Sequence, residues 1–353
     1  MRHNRFPSGP SRAALIAASA LASVFTAAAS HAQVAVWGNN SSGQATLSGV
    51  RRTMDISCGW YHTAVVHDCH TVSVFGDNSL GQRNIPAFTG SIVAVSAGAY
   101  HTAALDDSGA VVCWGDNALG QLNVPANLTG VLEVAAGGFH TLARTSTGLV
   151  GWGDNSSGQR DLPGGYGVPQ AVSAGAYHSV VITANSKVLA WGANNYGQTD
   201  AFNIPNVLKI SAGLTHSLAL GVDGRLYAWG DNSSGQCDVT DTKAPIVAIA
   251  AGGDFSLALL STDEIVGWGS NAFGQLDAQD SPRPIDKLAA GLHHAAISNL
   301  CPADLNGDGL VDAGDLGLLL ANWGMPFADI DCDGTTNASD LSLLLMTPWG
   351  PCS

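Results

Sequence analysis

A repeat constrains this chain more than any other feature. An aromatic-Gly pair, followed five residues after the glycine by Gly-Gln, recurs at Trp37-Gly38, Phe75-Gly76, Trp114-Gly115, Trp152-Gly153, Trp191-Gly192, Trp229-Gly230 and Trp268-Gly269. The steps are 38 or 39 residues throughout. Self-similarity at this period marks a chain built from one supersecondary unit used again and again. A second anchor, Gly-x-x-His, runs in phase with the first at Gly59/His62, Gly98/His101, Gly137/His140, Gly175/His178, Gly213/His216 and Gly291/His294. The copy at Gly252 carries Phe255 in the histidine position.

Each unit contains four short apolar runs, for example Ile92–Ala97, His101–Leu105, Val111–Trp114 and Gln121–Val124. They are rich in Val, Ala and Leu and bounded by Gly, Asn, Asp or Pro, the pattern of strands joined by tight turns. Asp106-Asp107-Ser108-Gly109 is a hairpin signal. Four-stranded units of this length are propeller blades. No Gly-x-x-His precedes Trp37, and no aromatic-Gly follows His294 in register. The leading segment Val34–Trp37 therefore supplies the strand missing from the last unit, Ile285–Ser298, and closes a ring of seven blades without open edges.

The motif, seen here as Ala135-Ala136-Gly137…His140 and Trp114-Gly115-Asp116-Asn117…Gly120-Gln121…Val124-Pro125, resembles the regulator-of-chromosome-condensation repeat family over about residues 34–299. The short unit is most similar to its bacterial branch, the β-lactamase-inhibitory-protein type. The resemblance implies a propeller scaffold whose relatives bind unrelated partners. The eukaryotic nucleotide-exchange role does not suit an exported, acidic chain.

An active site is needed once, yet His62, His101, His140, His178, His216 and His294 occupy equivalent places. They read as structural groups that tie blades to nearby backbone. The repeated Trp reads as inter-blade packing with its N–H satisfied, and the Asp-Asn and Gly-Gln pairs as turn formers. Positions that vary between anchors are better candidates for function. On the face carrying the Gly-x-x-His turns these are Trp60, Tyr61, Tyr100, Phe139, Tyr177, Phe255 and His293, joined by Leu80, Leu119, Tyr196 and Phe273 from the polar loops. A ring of aromatics is expected to bind a protein ligand.

Composition shifts at Cys301. From there to Ser353 the chain has eight Asp and no Lys, Arg or Glu, which calls for neutralising cations. Asp304, Asn306, Asp308, Leu310 (through its carbonyl), Asp312 and Asp315 fit a calcium loop, with Gly309 at the sharp turn. A second loop follows 25 residues later as Asp329, Asp331, Asp333, Thr335, Asn337 and Asp340. Each loop enters a Leu-rich helical run, Leu316–Trp323 and Leu341–Met346, that ends in or is followed by Trp-Gly. Two structural Ca²⁺ ions are expected, with folding coupled to their binding. The segment Cys301–Cys352 resembles a dockerin domain, which implies a cohesin-type partner and contact positions near Ala313-Gly314 and Ala338-Ser339. The expected fold is thus an all-β seven-bladed propeller (34–299) with a small all-α dockerin-like domain (301–353).

Arg2, Arg5 and Arg12, the Ala-rich stretch Ala13–Ala29, and Ser30-His31-Ala32 read as a secretory signal over 1–32. No longer lipid-spanning stretch follows it. The full chain carries a formal charge of −14, and its mature form 11 cations against 28 acids, or −17. A nucleic-acid surface is excluded on that balance. Secretion, to the extracellular space, the cell surface or a periplasm, permits disulfides. Cys301 and Cys352 bracket the tail and are the candidate clamp. In the first full unit His67-Asp68-Cys69-His70 replaces the usual Asp-Gly or Ser-Gly turn. It reads as a polar turn or one end of a Cys58–Cys69 bridge rather than a metal site. Cys113 and Cys237 have no obvious mates, and the odd count of seven leaves at least one thiol unpaired within the chain.

The leading functional expectation is a non-catalytic, exported interaction scaffold. Two alternatives are a component of extracellular polysaccharide breakdown and an inhibitor of an exported enzyme such as a β-lactamase. The first lacks paired carboxylates, since Glu133 and Glu264 are the only Glu residues.

Overall fold

The computed structural model describes residues 34–47, 50, 53–204, 206–278, 285–299, 301, 303–306 and 310–351. The expected signal segment lies outside them.

Seven three-stranded antiparallel sheets form the blades. Blade 1 is Thr53–Cys58, His62–His67 and Val72–Gly76; blade 2 is Ile92–Ala97, His101–Asp106 and Val111–Gly115. Blade 3 is Val131–Ala136, His140–Thr145 and Gly148–Gly153; blade 4 is Ala171–Ala174, His178–Ile182 and Val188–Gly192. Blade 5 is Val207–Ala212, His216–Gly221 and Leu226–Gly230; blade 6 is Ile246–Ala251, Phe255–Leu260 and Ile265–Gly269. Blade 7 takes Lys287–Ala290 and His294–Ser298 from the end of the repeat and Val34–Gly38 from its beginning. The register runs from Val34 opposite Ser298 to Gly38 opposite His294. The leading strand thus closes the ring as its sequence offset requires.

Among the described residues, the expected fourth strand is absent from the ladders. In the unit of blade 2, Asn117 Oδ1 accepts from the Leu122 N–H, the Gly120 carbonyl accepts from Asn123, and the Leu122 carbonyl accepts from Val124. These local bonds use the donors that a fourth strand would offer to its neighbour. The hairpin joining the second and third strands takes one left-handed residue in blades 1, 2, 4, 5 and 6. Gly109 (φ +82°) supplies it in blade 2, whereas His70 (φ 58°) must adopt it in blade 1.

The apolar core lies between blades rather than inside one. Ala64, Val66 and Val74 of blade 1 pack with Ile92, Val95, Ala104 and Trp114 of blade 2. Ala103 and Leu105 of blade 2 pack with Val131, Val134, Ala143 and Trp152 of blade 3.

In the tail, helices α1 (Ala313–Ala321) and α2 (Ala338–Met346) begin earlier than the Leu-rich runs because Asp312 and Asn337 cap them, each completing a capping box with Asp315 or Asp340. Leu310–Val311 pairs with Gly350–Pro351, and Gly324 and Met325 exchange hydrogen bonds with Thr336. Each acidic loop is therefore laced to the Trp-Gly turn associated with the other helix. A separate core of Cys301, Leu305, Val311, Leu319, Ala328 and Leu344 holds this unit together.

Candidate functional site

The six repeated histidines are fully buried and point around the ring. His62 Nε2 lies 2.9 Å from Thr102 Oγ1, His101 Nε2 2.9 Å from Thr141 Oγ1, and His140 Nε2 3.0 Å from Ser179 Oγ. His178 reaches Ser217, His216 reaches Ser256, and His294 closes the circle on Thr63 at 2.9 Å. Five of these hydroxyls, those of Thr63, Thr141, Ser179, Ser217 and Ser256, in turn donate to the carbonyls of the repeated glutamines, as Thr63 does to Gln44 at 2.8 Å and Ser179 to Gln159 at 2.8 Å. The histidine must then donate from Nε2, and its neutral Nδ1 faces the glycine of its own turn. A Cβ on Gly59 would collide with the His62 ring and the Gly98 carbonyl, which is why glycine recurs there. The same glutamine carbonyls accept the indole N–H of the next Trp: Trp114 to Gln82 at 2.7 Å, Trp191 to Gln159 at 2.9 Å. The histidines thus tie blades through a hydroxyl relay rather than directly to backbone, and burial lowers their pKa to about 4 for His62, His140 and His216 and about 3 for His101, His178 and His294.

Phe255 corrects its assignment to the ligand face. It is 0% exposed and fills the histidine slot of blade 6, packed on Leu257, Ala295 and Trp37. The residue it faces, where other blades carry Thr or Ser, is Ala295. The hydroxyl partners escaped the sequence reading, although the signal was visible: Thr or Ser follows the anchor in every blade except the seventh.

The remaining aromatics do come together. Tyr61 stacks on Tyr100 with centroids 5.8 Å apart, Tyr100 meets Phe139 at 6.5 Å, and Phe139 meets Tyr177 at 5.2 Å. Trp60 stands edge-on to Tyr100 at 5.9 Å and to Phe139 at 5.5 Å. These five rings form one arc over blades 1 to 4, half-buried except Tyr177, which is exposed. Trp60 lies at the mouth of a central channel of about 250 Å³ walled by the innermost strands. Tyr196 is exposed on the blade 4 loop, and exposed Phe273 packs on His293 of blade 7 at 4.6 Å. The equivalent turn positions of blades 5 and 6 are Thr215 and Asp254, so the face is aromatic on one side and polar on the other. Asp77, accepting from Ser79 and Gln82, stays below the usual carboxylate range despite partial burial. Burial, then Tyr61, Asp77 and Asp116, raise the Tyr100 phenol.

In the tail, Asp329, Asp331 and Asp333 bring one carboxylate oxygen each within 4.8 Å of one another. Asp315 Oδ1 accepts the Leu305 and Asn306 N–H groups and Asp340 Oδ1 accepts those of Ile330 and Asp331, so the last residue of each loop grips its first turn. Asp304 is buried, Asn306 and Asn337 are half-buried, Leu310 and Thr335 are exposed, and Asp308 lies outside the described residues. The tail's sequence holds no Lys or Arg, and three converging carboxylate oxygens fit a hard divalent ion. Ala313, Gly314, Ala338 and Ser339 are exposed.

The cysteines require a second correction. Cys69 is joined to Cys332, in the second acidic loop, with Cα atoms 5.5 Å apart, and not to Cys58. Cys58 and Cys69 sit at opposite ends of strand His62–His67, about 20 Å apart at the usual rise per residue. Cys58 is a buried thiol, its pKa pushed up to about 12 by burial; Cys113 and Cys237 are free as well. Cys301 is disulfide-bonded, and its expected mate Cys352 lies outside the described residues. In the irregular turn His67 turns to Ser73 and His70 to the Ile92 carbonyl, so these ligand types do not converge. Glu133 is committed to Arg144 at 2.8 Å.

Five segments, 92–121, 131–159, 170–198, 207–236 and 246–275, match the family described as the Regulator of chromosome condensation (RCC1) repeat. The chain carries an RCC1-like propeller. Solved structures agree on the fold. Human WBSCR16 aligns at 19% identity and a TM-score of 0.61, covering 75% of this chain and 98% of its own. Prp20p of Saccharomyces cerevisiae aligns at 15% identity and a TM-score of 0.64, covering 78% and 93%. The ectodomain of the Physcomitrella patens receptor kinase CR4 aligns at 21% and 0.57, covering 67% of each. No curated protein sequence matches the chain. Among the described residues of this RCC1-like protein, no helix is long and apolar enough to cross a membrane.

Proposed function

We propose that this protein is an exported, non-catalytic interaction scaffold. Its propeller presents a protein-binding face, and its dockerin-like tail, loaded with two structural Ca²⁺ ions, docks it to a cohesin-type partner. The observation that carries the reading is the arc of Trp60, Tyr61, Tyr100, Phe139 and Tyr177, five touching rings on one face. The histidines beneath it, the groups best suited to proton transfer, are consumed by the inter-blade relay and kept neutral. Prp20p, described for its binding to Gsp1p and histones, supports the use of such a scaffold for protein capture.

In the tail, Asp304, Asn306, Asp308, the Leu310 carbonyl, Asp312 and Asp315 would hold one Ca²⁺. Asp329, Asp331, Asp333, Thr335, Asn337 and Asp340 would hold the other. The ions would neutralise carboxylates and fix both loops, while exposed Ala313-Gly314 and Ala338-Ser339 at the helix starts face a docking partner. Affinity capture from the native secretome tests both halves. A partner lost on Tyr61→Ala with Tyr100→Ala supports the face, and a second partner lost on calcium removal supports the tail. Capture indifferent to both changes would overturn the reading.

A further inference from the structure

The six Gly-x-x-His turns, their Gly252–Phe255 counterpart and the seven polar loops that make up the aromatic face contain no Lys or Arg at any position. They do contain Asp77, Asp116, Asp154, Asp231 and Asp254. Three of these, Asp77, Asp116 and Asp154, stand in the loops of blades 1, 2 and 3, the blades that carry most of the aromatic arc. Backbone hydrogen bonds place them beside it: the N–H groups of Asp77, Asp116 and Asp154 donate to the carbonyls of Tyr61, Tyr100 and Phe139 at 2.9, 2.9 and 2.8 Å, and Asp77 and Asp116 help to raise the Tyr100 phenol and Asp154 that of Tyr177. The nearest cations in sequence follow the loops: Arg83 lines a groove with Ser42, Gly43 and the outer strand Val72–Gly76, and the Arg160 stem packs on Gly151 of the outer strand of blade 3.

Stacked rings offer π-faces of negative potential, and carboxylates at their edge add a field of the same sign. We infer that this face captures a cationic segment of its protein partner, with Lys or Arg side chains laid on Trp60, Tyr100 and Phe139 and held by Asp77, Asp116 and Asp154. The inference rests on the reading of the face as a protein-binding surface and specifies the chemistry of what it binds. Arginine suits the site better than lysine, because its flat guanidinium both stacks on rings and pairs with carboxylates. The absence of any cation among the loops leaves an acidic partner with nothing to pair with.

Labelled octa-arginine, octa-lysine and a neutral Gly-Ser peptide serve as probes, titrated by fluorescence anisotropy into the full mature chain with calcium saturating. The expected order is octa-arginine, then octa-lysine, with the neutral peptide not binding. Trp60→Ala with Tyr100→Ala is expected to weaken octa-arginine binding about ten-fold or more. Asp77→Asn with Asp116→Asn is expected to weaken it and flatten its salt dependence. The acidic tail is the competing site, so Asp331→Asn with Asp333→Asn must leave binding unchanged. The inference is overturned if affinity follows the tail variants, if the face variants bind as the parent does, or if neutral oligosaccharides occupy the face instead. If octa-arginine fails to bind while a secretome partner is still lost on Tyr61→Ala with Tyr100→Ala, the protein-binding face stands and its cationic preference falls. If both fail, both readings fall.

Discussion

The Nε2 of His294 lies 2.9 Å from the Oγ1 of Thr63, across 231 residues of sequence, and completes the side-chain relay that the leading strand Val34–Gly38 completes in backbone. Every blade junction repeats this contact except the one between blades 6 and 7, where Phe255 faces Ala295. Donor and acceptor are lost together, so neither an imidazole N–H nor a hydroxyl is stranded there. A polar pair and an apolar pair are alternative solutions to the same junction.

Phe255→His alone puts an imidazole N–H against a methyl group. It is expected to cost about 2–4 kcal/mol, the price of a buried donor without a partner plus lost packing. Adding Ala295→Ser supplies the acceptor and should recover about 1 kcal/mol or more. Urea unfolding of the two single variants and the double variant measures the coupling. Strict additivity would contradict the relay.

Acid should unfold the ring early. The histidines titrate near 6.5 when unfolded, while burial holds them at about 3 to 4 in the folded state. Between those values the unfolded chain binds protons that the folded chain excludes. The stabilisation is thus full above pH 6.5 and lost as the pH falls. With six such groups the slope approaches about 8 kcal/mol per pH unit near pH 5. Cooperative unfolding between about pH 6 and 4 is expected by tryptophan fluorescence, whereas stability that is flat to pH 4 would show that the histidines are not buried neutral.

The Cys69–Cys332 bond can be read by mass. Trypsin cuts after Arg52, Arg83 and Lys287, and no Lys or Arg follows Lys287. Fragments 53–83 and 288–353 should therefore travel as one species without reductant and separate with it. Release of 53–83 without reductant would refute the link between blade 1 and the second acidic loop.

Removing calcium should loosen the tail and leave the propeller intact. Asp331→Asn with Asp333→Asn is expected to weaken calcium binding at the second loop about ten-fold or more, since two of three converging carboxylates are neutralised. Calorimetric titration reports the affinity, and limited proteolysis reports the loosening.

The ring, its blade number and its closing strand were legible because the Trp-Gly and Gly-x-x-His anchors recur at fixed spacing, and an offset at the chain ends has one geometric meaning. The fourth strand was misread because apolar content at Leu122 and Val124 signals burial but not which donors Asn117 and Gly120 have already engaged. Phe255 was misplaced because an aromatic residue inside a turn motif looks the same whether it points outward or fills the slot of the residue it replaces. Cys69–Cys332 was hidden because residues 263 apart in different units share no periodicity. The arc was visible residue by residue, but its restriction to blades 1 to 4 follows from Thr215 and Asp254, which carry no signal of their own.

One comparison separates masonry from contact surface: the stability, and the affinity for a captured partner, of Tyr100→Ala and of His101→Asn. Tyr100→Ala is expected to keep its melting temperature within a few degrees and to bind about ten-fold more weakly. His101→Asn is expected to melt markedly lower, yet to bind like the parent chain at a temperature where it is folded. The reverse pattern, with binding lost through His101 and kept without Tyr100, would contradict the account.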